Sequence, residues 1–138
     1  SNEVPEEVLG QVIAMGEKLG IAFQIKDDLF DYGDNKVGKP TGIDIVEKKM
    51  TLPLIYALNN ASKAEKRRVI KLIKKDKKAK KEIQEVIAFV EEKGGIAYAQ
   101  GVMLDYKKDA ETLLHSLPQS NSTEYLQALI DFVIDRKK

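Results

Sequence analysis

The 138-residue sequence contains no cysteine and only one histidine, His115. The absence of cysteine excludes a disulfide framework and a thiolate metal site, and it fits a cytoplasmic location, which we predict. Because His115 has no second histidine with which to share a metal or a proton, it is predicted to be a surface or core-edge residue.

The sequence also lacks a strong net charge and a long apolar run. It has 23 Lys and Arg against 22 Asp and Glu, which gives a net charge of +1, so no overall field attracts nucleic acid or an anionic membrane. No stretch approaches the length of a spanning helix, and no signal peptide is recognisable at the N-terminus. We therefore expect no nucleic-acid partner and no transmembrane segment. With 43% hydrophobic and 33% charged residues, the chain has the composition of at most one soluble domain with a core.

Strand-like alternation of apolar and polar residues is missing as well, and apolar residues recur at helical spacing instead. Glu6 and Glu7 are typical of a first helical turn, and Pro53 fits the start of a second helix that ends near residues 59–60. Ser62 and Glu65 have the spacing of a capping box. These signals predict an all-α fold.

The C-terminal half continues this pattern. Gly94 and Gly95 should end one helix, residues 96–117 should form another, and Ser122 or Thr123 should cap the last. In total we predict about six helices.

Residues 63–81 contain eleven Lys or Arg and only two acids, Glu65 and Asp76. Apolar residues at helical spacing run through this segment, and no aromatic residue is present for stacking on bases. A solvated helix surface is therefore favoured, with binding to an acidic partner as the alternative.

Three acids mark the most informative stretch of the chain. On a helix, Asp27 and Asp31 are four residues apart and Asp28 and Asp31 three apart, so their carboxylates share one face and repel one another. A divalent cation such as Mg²⁺, which prefers oxygen ligands, would compensate this repulsion. The apolar residues around the three acids argue against an ordinary solvated acidic helix end.

The segment that follows combines glycines, lysines and a further acid. Gly38 and Gly42 allow the backbone to approach a ligand closely, Lys39 lies between them, and Asp44 and Lys49 follow. Acids that bind metal and lysines that share the remaining charge are together suited to a metal-chelated diphosphate.

Four sequence elements with consistent spacing resemble the second aspartate-rich region of the trans-isoprenyl (polyprenyl) diphosphate synthases. They are residues 23–31 (FQIKDDLFD), 38–40 (GKP), 42–44 (GID) and 49–53 (KMTLP). Weaker agreement continues through residues 94–99 to the C-terminus, so the resemblance covers essentially the whole chain. The resemblance implies the C-terminal portion of an isoprenoid-synthase helical bundle.

In this family an allylic diphosphate is ionised, attacked by the double bond of isopentenyl diphosphate, and resolved by loss of a proton. The resemblance implies that Asp27, Asp28 and Asp31 hold Mg²⁺ ions bridging the allylic diphosphate, and that Asp44 supports a metal through water.

The same resemblance assigns three residues to the substrates. Lys39 and Lys49 would have the catalytic role of neutralising the diphosphate as it leaves, and Gln24 would help to position the substrate.

The sequence departs from the family in having one aspartate-rich motif where the family uses two. The basic patch that binds isopentenyl diphosphate is also missing. We therefore predict that residues 1–138 are the C-terminal fragment of one synthase domain and are inactive alone. Because the helix bearing the acids would lack its partner helices, we expect its apolar flank to be covered in a homodimer.

Three other interpretations remain open. A noncatalytic subunit of a heteromeric prenyl synthase is disfavoured by the intact acids. A terpene cyclase or squalene-synthase-like enzyme would share the fold and the use of Mg²⁺, but the elements at residues 38–40 and 51–53 favour chain elongation. A plain helical interaction domain would have no need of the clustered acids.

Overall fold

The computed structural model describes residues 6–32, 42–118 and 121–135, and within these ranges all regular structure is helical. Its helices are α1 (Glu6–Phe30), α2 (Ile43–Val46), α3 (Leu52–Asn59), α4 (Lys63–Lys74), α5 (Lys80–Glu92), α6 (Gly95–His115) and α7 (Asn121–Asp135). The all-α prediction is confirmed. Seven helices in the described ranges exceed the predicted six because α2, with four residues, is too short to show an apolar period.

The chain divides into two compact units, one built from residues 27–101 and the other from residues 1–26 and 102–137. In the first unit α5 is the central helix, since α2, α3 and α4 all pack against it. Buried apolar side chains from these helices form one core. Its members include Ile45, Leu54, Ala57, Leu58, Val69, Leu72, Ile73, Val86, Phe89 and Val90.

Predicted helix ends in this unit are confirmed. The Ser62 hydroxyl accepts a hydrogen bond from the Glu65 N–H at 3.1 Å, and the Glu65 carboxylate accepts one from the Ser62 N–H at 3.0 Å. Pro53 lies in the first turn of α3. Gly94 adopts φ +79°, a value that favours glycine, in the break between α5 and α6. A side chain at Gly95 would collide with the Pro53 carbonyl oxygen, so α6 begins where only glycine fits.

In the second unit α1, α6 and α7 supply a smaller core. Its buried members are Met15, Ala22, Ala110, Leu114, Ile130 and Ile134. With Ser122 or Thr123 as the cap, the predicted start of α7 is two or three residues late, because the helix begins at Asn121. Thr123 is consequently inside the helix, where its hydroxyl donates to the Pro118 carbonyl at 3.2 Å.

Much of the apolar surface of α1 is exposed. The exposed large side chains on it are Leu9, Val12, Ile13, Ile21 and Phe23. By length and composition α1 could cross a membrane, and 17% of its most apolar 18-residue window is buried. The prediction that no stretch reaches spanning length is therefore wrong for α1. Length and composition do not distinguish a spanning helix from one that packs against other protein.

Candidate functional site

The three clustered acids lie at the C-terminal end of α1. Asp27 and Asp28 occupy its last turn, and Asp31 lies in the turn that follows the helix. The Asp31 N–H donates a hydrogen bond to the Asp28 carbonyl at 3.3 Å. A helix C-terminus carries negative partial charge, so acids there are unfavourable unless a cation is near. No basic residue lies in the last turn of α1.

Lys49 supplies a positive charge from a distant part of the sequence. Its ammonium group lies 3.2 Å from Asp28 Oδ1, and the Asp28 side chain is 11% exposed whereas that of Lys49 is 45% exposed. The hydrogen bond from Lys49 to Asp28 raises the pKa of the lysine, and the nearby Asp44 and Asp27 add to that effect. The lysine is therefore firmly protonated beside the acids.

Asp31 is the most deeply enclosed of the acids, with 6% of its surface exposed. Its Oδ1 accepts a hydrogen bond from the Asp44 N–H at 3.1 Å. Oδ2 is buried and has no hydrogen-bond partner among the described residues. Burial raises the pKa of Asp31, although the Asp44 N–H counteracts part of that increase. A buried carboxylate with one unsatisfied oxygen is costly and is suited to receiving a cation or a proton.

Asp44 is half-buried in the first turn of α2. Burial raises its pKa, the positive charge of Lys49 lowers it, and the charges of Asp28 and Asp27 raise it again. Asp27 itself is exposed. The structure thus brings four predicted metal ligands and Lys49 into one electrostatic neighbourhood.

These acids have different surroundings. Asp27 is exposed, Asp28 is paired with Lys49, and Asp31 holds the backbone of Asp44. Within the described ranges, no three acidic or histidine side chains are arranged to hold a metal ion. The donor set nevertheless suits Mg²⁺, because this ion is usually bound through one or two carboxylates together with water and substrate phosphates.

Sequence reasoning gave no role to two residues of this site, Tyr32 and Thr51, although Thr51 belongs to the element at residues 49–53. The Tyr32 hydroxyl lies 3.0 Å from the Thr51 hydroxyl, and 6% and 1% of the two residues are exposed. Burial raises the pKa of Tyr32 above its ordinary value, and the charges of Asp31, Asp44 and Asp28 add to the increase, so the hydroxyl keeps its proton. The one sequence signal for this pair was the position of Thr51, directly before the predicted start of a helix.

The remaining predicted residues are placed as follows. Gln24 is an exposed residue of α1. Lys39 lies outside the described residues, as do Gly38 and Pro40, whereas Gly42 is described and has φ +83°. His115 is exposed, as predicted, and its Nε2 lies 3.1 Å from Gln127 Oε1.

Comparison with known proteins gives a consistent result. The family model for polyprenyl synthetase matches residues 1–90. A short chain isoprenyl diphosphate synthase of Methanothermobacter thermautotrophicus is 37% identical over 124 residues, which are 88% of this chain and 38% of that protein. The geranylgeranyl diphosphate synthase of Saccharolobus solfataricus is 35% identical over 99% of this chain and 42% of its own length.

A solved structure agrees with these relatives. The geranylgeranyl pyrophosphate synthase of Bacteroides thetaiotaomicron matches with a TM-score of 0.85 and 42% identity, covering 97% of this chain and 44% of that one. This chain therefore spans about two fifths of the length of the proteins that it matches.

Proposed function

Because this chain belongs to the polyprenyl synthetase family, we propose that it is the C-terminal part of a trans-polyprenyl diphosphate synthase. The full-length protein would transfer the prenyl group of an allylic diphosphate to isopentenyl diphosphate in isoprenoid biosynthesis. The allylic carbon–oxygen bond breaks, the double bond of isopentenyl diphosphate attacks the resulting cation, and a proton is lost. The observation that carries the proposal is the Asp28 and Lys49 pair, set among Asp31 and Asp44.

Mg²⁺ is the proposed cofactor, and the residues of the site fit it. Asp27 is accessible and the unsatisfied Asp31 Oδ2 is an oxygen donor, so these two would supply carboxylate ligands beside water and phosphate oxygens. Asp28 and Asp44 are the other predicted oxygen ligands. When bound, Mg²⁺ would neutralise the charge of the diphosphate and so make it a better leaving group.

Lys49 is proposed to act directly on the diphosphate. Its ammonium group is exposed on one side and held by Asp28 on the other, so a phosphate oxygen can share its protons. A positive charge that is already in place when the leaving group develops negative charge stabilises the transition state more than the ground state. Lys39 would act similarly, and Gln24 would help to position the substrate; both assignments remain predictions.

Incubation of the full-length protein with Mg²⁺, isopentenyl diphosphate and a short allylic diphosphate tests the proposal. We expect a longer allylic diphosphate and inorganic pyrophosphate. A cyclised or hydrocarbon product would indicate a cyclase or squalene-synthase-like enzyme instead. No product, combined with altered activity of a second synthase chain, would indicate a noncatalytic subunit.

The chain of 138 residues is proposed to be inactive alone, because its sequence holds one aspartate-rich motif where the family uses two. Prenyl transfer catalysed by these residues in isolation would contradict this. A homodimer is proposed as well, because the exposed apolar residues of α1 form a surface unusual for a monomer. Sedimentation of the chain as a folded monomer at high concentration would count against the dimer. A cytoplasmic location stays a prediction.

A further inference from the structure

The segment that carries Asp44 and Lys49 is hydrogen-bonded near both of its ends to the residues that follow α1. At its start, the Gly42 N–H donates to the Asp31 carbonyl at 3.1 Å, and the Asp44 N–H donates to the Asp31 carboxylate at 3.1 Å. At its end, the Thr51 hydroxyl is hydrogen-bonded to Tyr32 at 3.0 Å. Residues 42–51 are therefore closed into a loop by two consecutive residues, Asp31 and Tyr32.

The Thr51 side chain does not cap the helix that it precedes, and it makes the contact with Tyr32 instead. It occupies the N-cap of α3, with φ −91° and ψ 162°, but its side chain makes no capping hydrogen bond. A threonine at this position usually accepts a hydrogen bond from an N–H of the first turn, a bond that stabilises the helix. The hydroxyl is instead turned to Tyr32, a residue 19 positions earlier in the sequence.

Lys49 lies between these attachments. Its N–H donates to the Asp44 carbonyl at 2.8 Å, and Thr51 follows two residues later. The preceding residue, Lys48, has φ +61°, a left-handed conformation that is uncommon without glycine. Such conformations persist where the surroundings hold them, so the backbone that carries Lys49 is constrained on both sides.

We infer that Tyr32 and Thr51 are positioning residues for diphosphate binding. Their buried hydrogen bond fixes the backbone of Lys49, and with it the place where the ammonium group meets Asp28 or a phosphate oxygen. The inference rests on the proposed function, because it concerns the same diphosphate. Neither residue touches the diphosphate itself; both act through Lys49.

Substitutions that remove one hydroxyl and keep the shape of the side chain test the inference in the full-length protein. The variants are Tyr32→Phe and Thr51→Val. Each should weaken the binding of Mg²⁺ and inorganic pyrophosphate, measured by calorimetry, by about fivefold, the equivalent of one ordinary hydrogen bond. The KM for the allylic diphosphate should rise by a similar factor, while kcat changes by less than about twofold.

Two further variants separate positioning from stability. Thr51→Ser keeps the hydroxyl and should restore wild-type pyrophosphate affinity and KM. Tyr56→Phe is the matched control, because the Tyr56 ring stacks on Tyr98 in the same unit and its hydroxyl has no hydrogen-bond partner among the described residues. It should leave both quantities unchanged.

The outcomes distinguish the inference from the proposed function. If Tyr32→Phe and Thr51→Val melt at a lower temperature but keep wild-type pyrophosphate affinity and KM, the hydrogen bond is merely structural and the inference is overturned. The same holds if Tyr56→Phe has as large an effect, or if Thr51→Ser fails to restore binding. If the wild-type protein makes prenyl product and the variants have the same pyrophosphate affinity and KM as the wild type, the inference is overturned but the proposed function is not. A wild-type protein that neither transfers prenyl groups nor binds Mg²⁺ and pyrophosphate overturns both.

Discussion

The acidic site of residues 27–51 and the basic segment of residues 63–81 both have a local excess of one charge. They differ in how far the charged side chains are buried. In the acidic site Asp28 and Asp31 are buried, and the backbone around them is fixed by hydrogen bonds across the sequence. In the basic segment most of the charged residues are exposed, and several are paired on the surface, such as Arg68 with Glu85 at 2.6 Å.

The difference shows that the density of charge in the sequence does not identify a site. The basic segment has the larger local excess of charge, yet water solvates its charges at little cost, and exposed ion pairs contribute little to stability. Charges held out of water are costly unless a partner is supplied. For this reason we propose that the buried acids, including Asp31 with its unsatisfied Oδ2, mark the functional region. The favoured prediction, that residues 63–81 form a solvated helix surface, agrees with the exposure of its charged residues.

The largest effect is expected when a proposed metal ligand is removed. Asp27→Ala and Asp28→Ala in the full-length protein should each lower turnover by about 100-fold or more, since each removes charge stabilisation of the leaving group. Steady-state assays with saturating Mg²⁺ measure it. Asp34→Ala, in the same acid-rich stretch but without an assigned role, should do little. Equal losses in all three variants would mean that the assignment of roles is wrong.

A pair of lysine variants compares the two charged regions directly. Lys49→Ala removes the ammonium group beside Asp28 and should weaken the binding of Mg²⁺ and pyrophosphate by about tenfold, the range of a hydrogen bond to a charged group. Lys71→Ala removes an exposed charge that has no ion-pair partner among the described residues, and it should leave the affinity unchanged. Calorimetry at one fixed ionic strength measures both. A comparable loss in Lys71→Ala would show that the affinity follows overall charge.

Asp31→Asn tests whether the acidic site is held at a cost to stability. Burial raises the pKa of Asp31, so its ionised form opposes folding at neutral pH. Without metal, the neutral variant should have a higher free energy of unfolding, by on the order of 1 kcal/mol, the usual size of a single-site effect. It should also bind Mg²⁺ and pyrophosphate more weakly. Urea denaturation and calorimetry check the two effects, and a less stable variant with unchanged affinity would contradict the account.

The smallest effect concerns a carboxylate at the start of the basic segment. Hydrogen bonds from the Ser62 N–H and from Lys93 lower the pKa of Glu65 from its ordinary value of 4.5 to about 2. Because this pKa is depressed on folding, its contribution to stability is complete above pH 4.5 and is lost as pH falls toward 2. Thermal melts over this interval should therefore show a steeper loss of Tm for the wild type than for Glu65→Gln. Parallel losses would contradict the assignment.

Local features of the fold could be predicted from the sequence because neighbouring residues create them. The capping box at Ser62, the helix start at Pro53 and the break at Gly94 each depend on a few consecutive residues. The short helix α2 has too few residues to show a period.

The site itself could be predicted only in part. The spacing of the acids and the resemblance indicated which residues belong to it. The spacing does not show that the acids differ in burial and in their partners. Their different surroundings depend on contacts with residues 13 to 21 positions away, such as Lys49 with Asp28. The hydrogen bond between Tyr32 and Thr51 also joins residues far apart in sequence, and Thr51 lies between α2 and α3, which both pack against α5.

The acids at the end of α1 are proposed to bind a divalent metal together with a diphosphate. Crystals of the full-length protein grown with Mn²⁺ and inorganic pyrophosphate test this proposal most directly, because manganese gives an anomalous signal. The account predicts anomalous peaks within about 2.0–2.3 Å of carboxylate oxygens of the cluster, Asp27 among them, and Lys49 within hydrogen-bonding distance of a phosphate oxygen. Metal and pyrophosphate bound elsewhere, with Lys49 still paired only with Asp28, would contradict it.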